Sequence, residues 1–205
     1  IYCNLGPQRY KQVIGHRNHI SGGNIFSLFL NNKGILRSCG ANNHGKLGLG
    51  DEDNRHLPVA IPSLSQHHIV AVAAGVYHSV AITRLGLVFT WGKGEFGRLG
   101  HGGTSDESQP RLITSIQHTH RIVGVSAGYA HTLFVTDLGQ VLACGWNCVG
   151  QLGLGDTADR HTPCLVEELV GTFVVQVTAG SFSSGAVSAT GKSFTWGDGG
   201  HYCLG

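Results

Sequence analysis

The chain has 205 residues, of which 41% are hydrophobic and 13% charged, and its formal net charge is +2 with the histidines neutral. This length and apolar content suffice for a large folded domain, and so small a net charge gives no bulk electrostatic basis for nucleic-acid binding. No apolar run approaches the about 18 residues that a membrane-spanning helix needs.

The chain begins at Ile1, without an initiator methionine or a signal peptide, and contains no methionine. We therefore expect a piece of a longer protein. Its six cysteines form no Cys-x-x-Cys pair and no Asn-x-Ser/Thr sequon occurs, which favours an intracellular location, nuclear or cytoplasmic. Residues 1–19 fit no repeat and are predicted to be a divergent strand or a connection.

A glycine-rich segment recurs four times from there to the end of the chain, over residues 39–48, 91–100, 144–153 and 196–205. The glycines at its second position are separated by 52, 53 and 52 residues: Gly40, Gly92, Gly145 and Gly197. A pair of glycines 11 residues apart precedes each copy: Gly23 and Gly34, Gly75 and Gly86, Gly128 and Gly139, and Gly180 and Gly191. The glycine-rich segment and the preceding glycine pair recur together at the same spacing in all four copies, which establishes a repeat.

Each repeat is predicted to contain four β-strands. In the second copy these are residues 69–75, 79–83, 87–92 and 110–113, separated by glycine- and proline-containing turns. No segment has a 3.6-residue apolar period, so helices should be few. Residues 20–205 are therefore predicted to form an all-β fold, a β-propeller built of four-stranded blades.

Two features of the repeat have structural interpretations. We assign its glycines to tight turns that need a positive φ and to crowded positions without room for a side chain. A second repeat position alternates between large and small residues, and we predict that it packs between neighbouring blades: Cys39, Trp91, Cys144 and Trp196.

These motifs resemble the repeats of the regulator of chromosome condensation family. The resemblance rests on Ala-Gly-x-x-His-Ser/Thr, at residues 74–79 and 127–132, and on Trp/Cys-Gly-x-Asn/Gly-x-x-Gly-x-Leu-Gly. It implies a seven-bladed propeller. The sequence given supplies about four blades, and we expect the remaining blades elsewhere in the same chain or in another chain. The sequence departs from this pattern at two repeat positions. Phe26 and Ser183 occupy the position that holds His78 and His131 in the other copies, and Tyr202 occupies a position that is glycine in the other copies.

His78 and His131 have two interpretations. We favour a structural role, in which a ring nitrogen bonds a neighbouring backbone carbonyl. Because the resemblance implies that polar residues at the blade ends of exchange factors face a GTPase, a binding role stays open.

Three other patterns are weak. Residues 92–97 match the dinucleotide-binding Gly-x-Gly-x-x-Gly, but no helix is predicted to follow and the repeat already explains the glycines. Residues 191–193 resemble only the end of a phosphate-binding loop. A zinc site with unusual spacing can be drawn from Cys144, Cys148, His161 and Cys164. We predict no cofactor, no metal and no catalytic residue.

The loops after each Leu-Gly turn carry much of the charge and are either solvated loops or a rim that binds a partner. Their mixed sign favours protein over nucleic acid. The candidate partner-binding residues are Asp51, Glu52, Asp53, Arg55, Asp106, Glu107, Asp156, Asp159 and Arg160.

The leading functional hypothesis is a protein-interaction scaffold without enzymatic chemistry. The alternative, implied by the resemblance, is a guanine-nucleotide exchange factor for a small Ran-like GTPase, which would act by binding the nucleotide-free form most tightly. Light sensing, known on this fold, is rejected because it needs clustered tryptophans, whereas Trp91 and Trp196 occupy packing positions and only Trp146 lies elsewhere.

Overall fold

A computed structural model describes residues 20–200 and Leu204 of the chain. The predicted strand or connection at residues 1–19 lies outside these residues, as do Cys3, Tyr202 and Cys203.

The described residues form four antiparallel sheets that follow one another along the chain, and we number them as blades. Blade 1 contains β1 (Ile20–Gly22), β2 (Phe26–Leu30), β3 (Leu36–Gly40) and β4 (Arg55–Ala60). Blade 2 contains β5 (Ile69–Ala74), β6 (His78–Thr83), β7 (Val88–Gly92) and β8 (Glu107–Leu112). Blade 3 contains β9 (Ile122–Ala127), β10 (His131–Thr136), β11 (Val141–Gly145) and β12 (Arg160–Leu165). Blade 4 contains β13 (Val174–Ala179), β14 (Ser183–Ser188) and β15 (Ser193–Gly197).

Each blade is a simple meander in which consecutive strands pair with their neighbours. In blade 2 the register pairs His78 with Gly92 and Ile82 with Val88. The predicted all-β propeller blades are confirmed, although the fourth strand of blade 2 begins at Glu107, three residues before the prediction. Helical structure between residues 20 and 200 is limited to four short 3-10 turns: Asn43–Gly45, Pro62–Leu64, Glu95–Gly97 and Glu167–Leu169.

The hydrophobic core lies between the blades, because both faces of each sheet are apolar and must be covered by a neighbour. Three clusters fill the three interfaces. Trp91 packs with residues of blade 1, Cys144 with residues of blade 2, and Trp196 against residues of blade 3. The predicted packing role of this repeat position is confirmed at these three interfaces.

Blade 3 fills its interface with a different combination of side chains from blades 2 and 4. The pair Ala81 and Trp91 in blade 2 corresponds to Phe134 and Cys144 in blade 3. Phe134 and Cys144 are both fully buried in the same cluster. A large residue on the second strand thus accompanies a small one on the third, which keeps the packed volume similar.

Gly97 illustrates both interpretations of the repeat glycines. Its φ of +79° lies in the left-handed region that disfavours a side chain, and a Cβ there would lie 2.5 Å from the Cα of His161 in blade 3. The predicted requirements for positive φ and for close approach are therefore confirmed at this position.

Candidate protein-docking site

The meander topology brings two kinds of loop to one end of the propeller, which we call the loop end. Here the first strand of each blade turns into the second, and the third strand enters the long connection to the fourth. Every charged residue of the predicted partner-binding set lies at this end. The structure thus gathers residues that are about 100 positions apart in the sequence.

Some of these charged side chains form hydrogen bonds within their own loops. In blade 1, Asn42 Nδ2 donates to the backbone oxygen of Asp51 at 2.8 Å, and the Asp51 carboxylate accepts from Arg55 at 2.6 Å. Desolvation raises the pKa of the Asp51 carboxyl, but hydrogen bonds from the Asp53 backbone N–H and from Arg55 outweigh it and leave the pKa below its usual value.

Blade 3 repeats this arrangement with Asn147, Asp156 and Arg160. The bond from Arg160 to Asp156 is the main reason that the pKa of Asp156 lies below its usual value. These four charged side chains therefore shape the loops in addition to any contact with a partner.

The remaining candidates differ in their contacts. Asp106 accepts the backbone N–H of Gly94 and lies 2.8 Å from His44 Nδ1 of blade 1. Glu107 forms an ion pair with Arg111. The third group comprises Glu52, Asp53 and Asp159, which are exposed and form no salt bridge within the described part of the chain.

His78 and His131 are fully buried between blades, away from the loop-end surface. His131 Nε2 lies 2.9 Å from the hydroxyl of Ser184 in blade 4, and His78 makes the same contact with Thr132 in blade 3. Each hydroxyl donates to a carbonyl of the preceding blade, so the histidine must donate to the hydroxyl. The acceptor is thus a side-chain hydroxyl, and the backbone carbonyl that we expected is one step further along the chain of hydrogen bonds.

Burial also fixes the charge of these histidines. It lowers the pKa of His131 to about 4, and burial followed by nearby positive charge lowers the pKa of His78 well below its usual value. Both rings are therefore neutral at physiological pH.

The structure places the residues of the three weak patterns in loops and strands of the repeat. Residues 92–97 form a loop that ends in a three-residue 3-10 turn, and residues 191–193 belong to the hairpin between β14 and β15. Cys144 is buried and Cys148 is exposed, and both thiols are free. In the described residues, no three His, Cys, Asp or Glu side chains are arranged to hold a metal ion.

Five aromatic side chains meet at the loop end and form a surface that we call the aromatic patch: Tyr77, Phe96, Tyr129, Trp146 and Phe182. They come from blades 2, 3 and 4 and belong to none of the three core clusters. Four are half-buried and Phe182 is 38% exposed. Such a surface is uncommon on an isolated soluble protein and is typical of a binding site.

Trp146 lies at the centre of the patch. Its ring stacks on Phe96 with the centroids 5.0 Å apart, and it meets Phe182 edge-on at 5.4 Å. Tyr129 contacts Trp146 at 6.3 Å and extends the patch to Tyr77 at 5.9 Å. The rings therefore support one another and are held in place before any partner binds.

The backbone at Phe96 has a positive φ. Phe96 has a φ of +63°, a conformation that costs a bulky residue about 1 kcal/mol or more. The loop that holds it packs on β12 of the next blade. His44 occupies the same repeat position in blade 1 with a φ of +64°, so this conformation is a property of the repeat turn.

Sequence reasoning missed this patch. Three of its members lie one or two residues after the first glycine of a repeat, at Tyr77, Tyr129 and Phe182, and the others lie in the loops after β7 and β11. An alignment of the four copies marks these positions as variable and aromatic-rich, which is the signal that would have found them.

The comparisons with known proteins agree with this architecture. The family model described as "Regulator of chromosome condensation (RCC1) repeat" matches residues 33–82, 86–135 and 139–187. The chain belongs to this family. A second model of the same repeat matches residues 69–98 and 122–151.

Two relatives that the chain matches are longer proteins. The chain is 40% identical over 187 residues to the ultraviolet-B receptor UVR8 of Arabidopsis thaliana, covering 91% of this chain and 42% of the receptor. It is 37% identical over 188 residues to the human E3 ubiquitin-protein ligase HERC2, covering 91% of this chain and 4% of the ligase. The chain thus spans less than half the length of either relative.

Solved structures of similar proteins confirm the fold. Human WBSCR16 superposes with a TM-score of 0.78 at 27% identity, covering 88% of this chain and 48% of that one. Prp20p of Saccharomyces cerevisiae, whose structure was determined with its binding properties to Gsp1p and histones, has a TM-score of 0.71 at 20% identity, covering 81% and 42%. Among the described residues of our chain, no helix has the length and apolar character needed to cross a membrane.

Proposed function

We propose that this RCC1-type propeller segment is a protein-docking module and that the aromatic patch is its docking surface. The observation that carries the proposal is the preassembled cluster of partly exposed rings around Trp146. Aromatic side chains are enriched among the few residues that dominate the binding energy at protein interfaces, because they bury a large area at a small cost in conformational entropy.

The charged loops lie at the same end of the propeller as this patch and supply the polar part of that surface. Asp159 illustrates the connection, since its carboxylate accepts the backbone N–H of Asn147, the residue after Trp146. An apolar centre within a polar rim is the usual anatomy of an interface. The exposed carboxylates of Glu52, Asp53 and Asp159 remain our candidates for direct contact with a partner.

The proposal is tested by quantitative affinity capture with the chain and two variants. Trp146→Ala removes the centre of the patch, whereas Leu138→Ala removes an apolar side chain that is 70% exposed at the opposite end. We expect a set of proteins that the unchanged chain and Leu138→Ala retain and Trp146→Ala loses, with all three equally folded by thermal melting. Identical sets from all three would refute docking at the patch.

Guanine-nucleotide exchange on a small GTPase is the second candidate function. It is supported by the family and by the fold shared with Prp20p, a likeness that concerns the fold alone at 20% identity. Nucleotide release from candidate GTPases in the presence of the protein tests it, and no acceleration with any of them removes it. The four free cysteines described in the structure support an intracellular location for either function.

A further inference from the structure

The chain's own cations cover the part of the aromatic patch that belongs to blade 2. Lys93 Nζ lies 5.6 Å from the ring centre of Tyr77, and the Arg98 guanidinium lies 5.7 Å from that of Phe96. Both distances are those of a cation–π interaction, in which the negative face of the ring attracts a positive charge. These two rings are therefore already paired within the molecule.

The other three rings of the patch contact one another without such a cation. Tyr129, Trp146 and Phe182 form a closed triangle with centroid distances of 6.3, 5.4 and 5.9 Å. Within the described residues, no Lys or Arg lies over any ring of this triangle. The triangle thus lacks the internal cation that Tyr77 has, although Phe96 stacks on Trp146 and Tyr129 stacks on Phe182.

The repeat explains this difference. The position held by Lys46 in blade 1 and Arg98 in blade 2 is Gln151 in blade 3, so an uncharged amide replaces the cation. Gln151 is fully buried, and its Nε2 has no hydrogen-bond partner among the described residues. The position of Lys93 is Asp198 in blade 4, where a carboxyl group stands instead of an ammonium.

The backbone of Asp198 is next to the triangle, and its carboxylate accepts the backbone N–H of Gly200 at 2.8 Å. The backbone N–H of Asp198 donates to the carbonyl of Phe182 at 2.9 Å, which ties the residue to the patch. The replacement therefore puts an acidic residue instead of a basic one at the position whose backbone contacts Phe182.

The described residues of the loop end carry more acidic than basic side chains. It holds nine of the 12 Asp and Glu residues of the chain: Asp51, Glu52, Asp53, Glu95, Asp106, Glu107, Asp156, Asp159 and Asp198. Among the residues that the structure describes, the Lys and Arg residues at the same end are Lys46, Arg55, Lys93, Arg98 and Arg160. This excess of carboxylates attracts a positively charged partner and repels an acidic one.

We propose that the triangle of Tyr129, Trp146 and Phe182 binds the Lys and Arg side chains of a basic protein segment. The inference rests on the proposed docking function and specifies the chemistry of the partner. The ring faces hold the cationic side chains, and the surrounding carboxylates attract the segment and set its approach.

A titration with synthetic peptides tests this chemistry. A peptide of alternating Arg and Gly residues, and peptides of equal length with Glu or Gln in place of Arg, are added to the ¹⁵N-labelled chain while its amide NMR signals are recorded. We expect only the Arg peptide to bind, with shifts centred on Tyr129, Trp146 and Phe182, and with an affinity that falls as salt is added.

Variants separate ring contacts from bulk charge. Trp146→Ala, or Phe182→Ala should the first variant be poorly folded, is expected to weaken the Arg peptide at least about tenfold. Leu138→Ala at the opposite end should leave the affinity unchanged. Equal binding of the Glu peptide, or Arg-peptide binding that is indifferent to the ring variants, would overturn the inference.

The outcomes also distinguish this inference from the docking function on which it rests. Partner capture that depends on Trp146, combined with no binding of the Arg peptide, leaves the docking function in place and refutes the basic partner. Capture that is indifferent to Trp146, combined with an Arg peptide whose binding requires the rings, refutes the proposed capture function and retains the basic-segment site.

Discussion

His131 in blade 3 donates from Nε2 to the hydroxyl of Ser184 in blade 4 over 2.9 Å. That hydroxyl in turn donates to the backbone carbonyl of Gln151, so the contact joins a ring, a hydroxyl and a loop across a blade interface. The other ring nitrogen, Nδ1, is buried without a hydrogen-bond partner among the described residues. Protonation of the ring would leave a buried charge with an unpaired N–H, which the fold penalises.

This geometry predicts a loss of stability in mild acid. The pKa of His131 is about 4 in the folded chain and about 6.5 when unfolded, so the unfolded state binds the proton more tightly. The contribution of neutral His131 to the free energy of unfolding is present above pH 6.5 and is lost as the pH falls towards 4. The loss is about 2 kcal/mol between pH 7 and pH 5. Urea unfolding at both pH values measures it.

The histidine is tested by two variants in the same measurement. His131→Gln keeps a donor for Ser184 and cannot be protonated, so its unfolding free energy should change less between pH 7 and pH 5. His118→Gln alters an exposed histidine at the opposite end and should keep the dependence of the unchanged chain. A pH dependence in His131→Gln equal to that of the unchanged chain would contradict the assignment.

A pair of repeat glycines separates backbone strain from steric crowding. Gly97 and Gly150 have nearly equal φ, +79° and +76°, but a Cβ at Gly97 would lie 2.5 Å from His161 Cα, whereas none of the described atoms lies within 4 Å of one at Gly150. Gly150→Ala should cost about 1 kcal/mol from φ alone, and Gly97→Ala a further 1–3 kcal/mol or so from the clash. The denaturant midpoints of the two variants measure these losses of stability. Equal losses in Gly97→Ala and Gly150→Ala would contradict the steric crowding at Gly97.

These cases show which parts of the molecule were accessible from sequence. The strands and the packing role of Trp91 follow from positions that recur along the chain. The need for Gly97 follows from a glycine that recurs in three of the four copies, because a shared backbone geometry imposes the same requirement. The gathering of the charged loops also follows from the meander. The aromatic patch does not, because it depends on differences between copies: Tyr129 and Phe182 occupy different repeat positions and meet only when the blades pack side by side.

Phe96 provides a test of strain at the patch. With a φ of +63°, residue 96 should accept glycine more readily than alanine, since only alanine has a Cβ that opposes this conformation. Both Phe96→Gly and Phe96→Ala lose the stacking on Trp146 equally. The glycine variant is therefore expected to be about 1 kcal/mol more stable than the alanine variant by chemical denaturation. An alanine variant of equal or greater stability would show that the loop relaxes without strain.

The compensated packing of blade 3 predicts strong coupling between two core substitutions. Phe134→Ala alone should cost about 3–5 kcal/mol by leaving a cavity, and Cys144→Trp alone about 1–3 kcal/mol by overfilling the interface. Together they recreate the Ala81 and Trp91 combination of blade 2. The new indole N–H would be placed to donate to the Arg98 carbonyl, which Cys144 Sγ now approaches at 3.6 Å, just as Trp91 donates to the Lys46 carbonyl.

The double variant should therefore be more stable than the sum of the two single losses predicts, by at least about 2 kcal/mol in a double-mutant cycle. Cys148→Trp, at an exposed position on the loop end, is the control for adding an indole without filling the core and should show no coupling to Phe134→Ala. Additive losses in the Phe134 and Cys144 cycle would mean that the two side chains do not share one packed volume, and that blade 3 reaches its fit by a shift of the backbone instead.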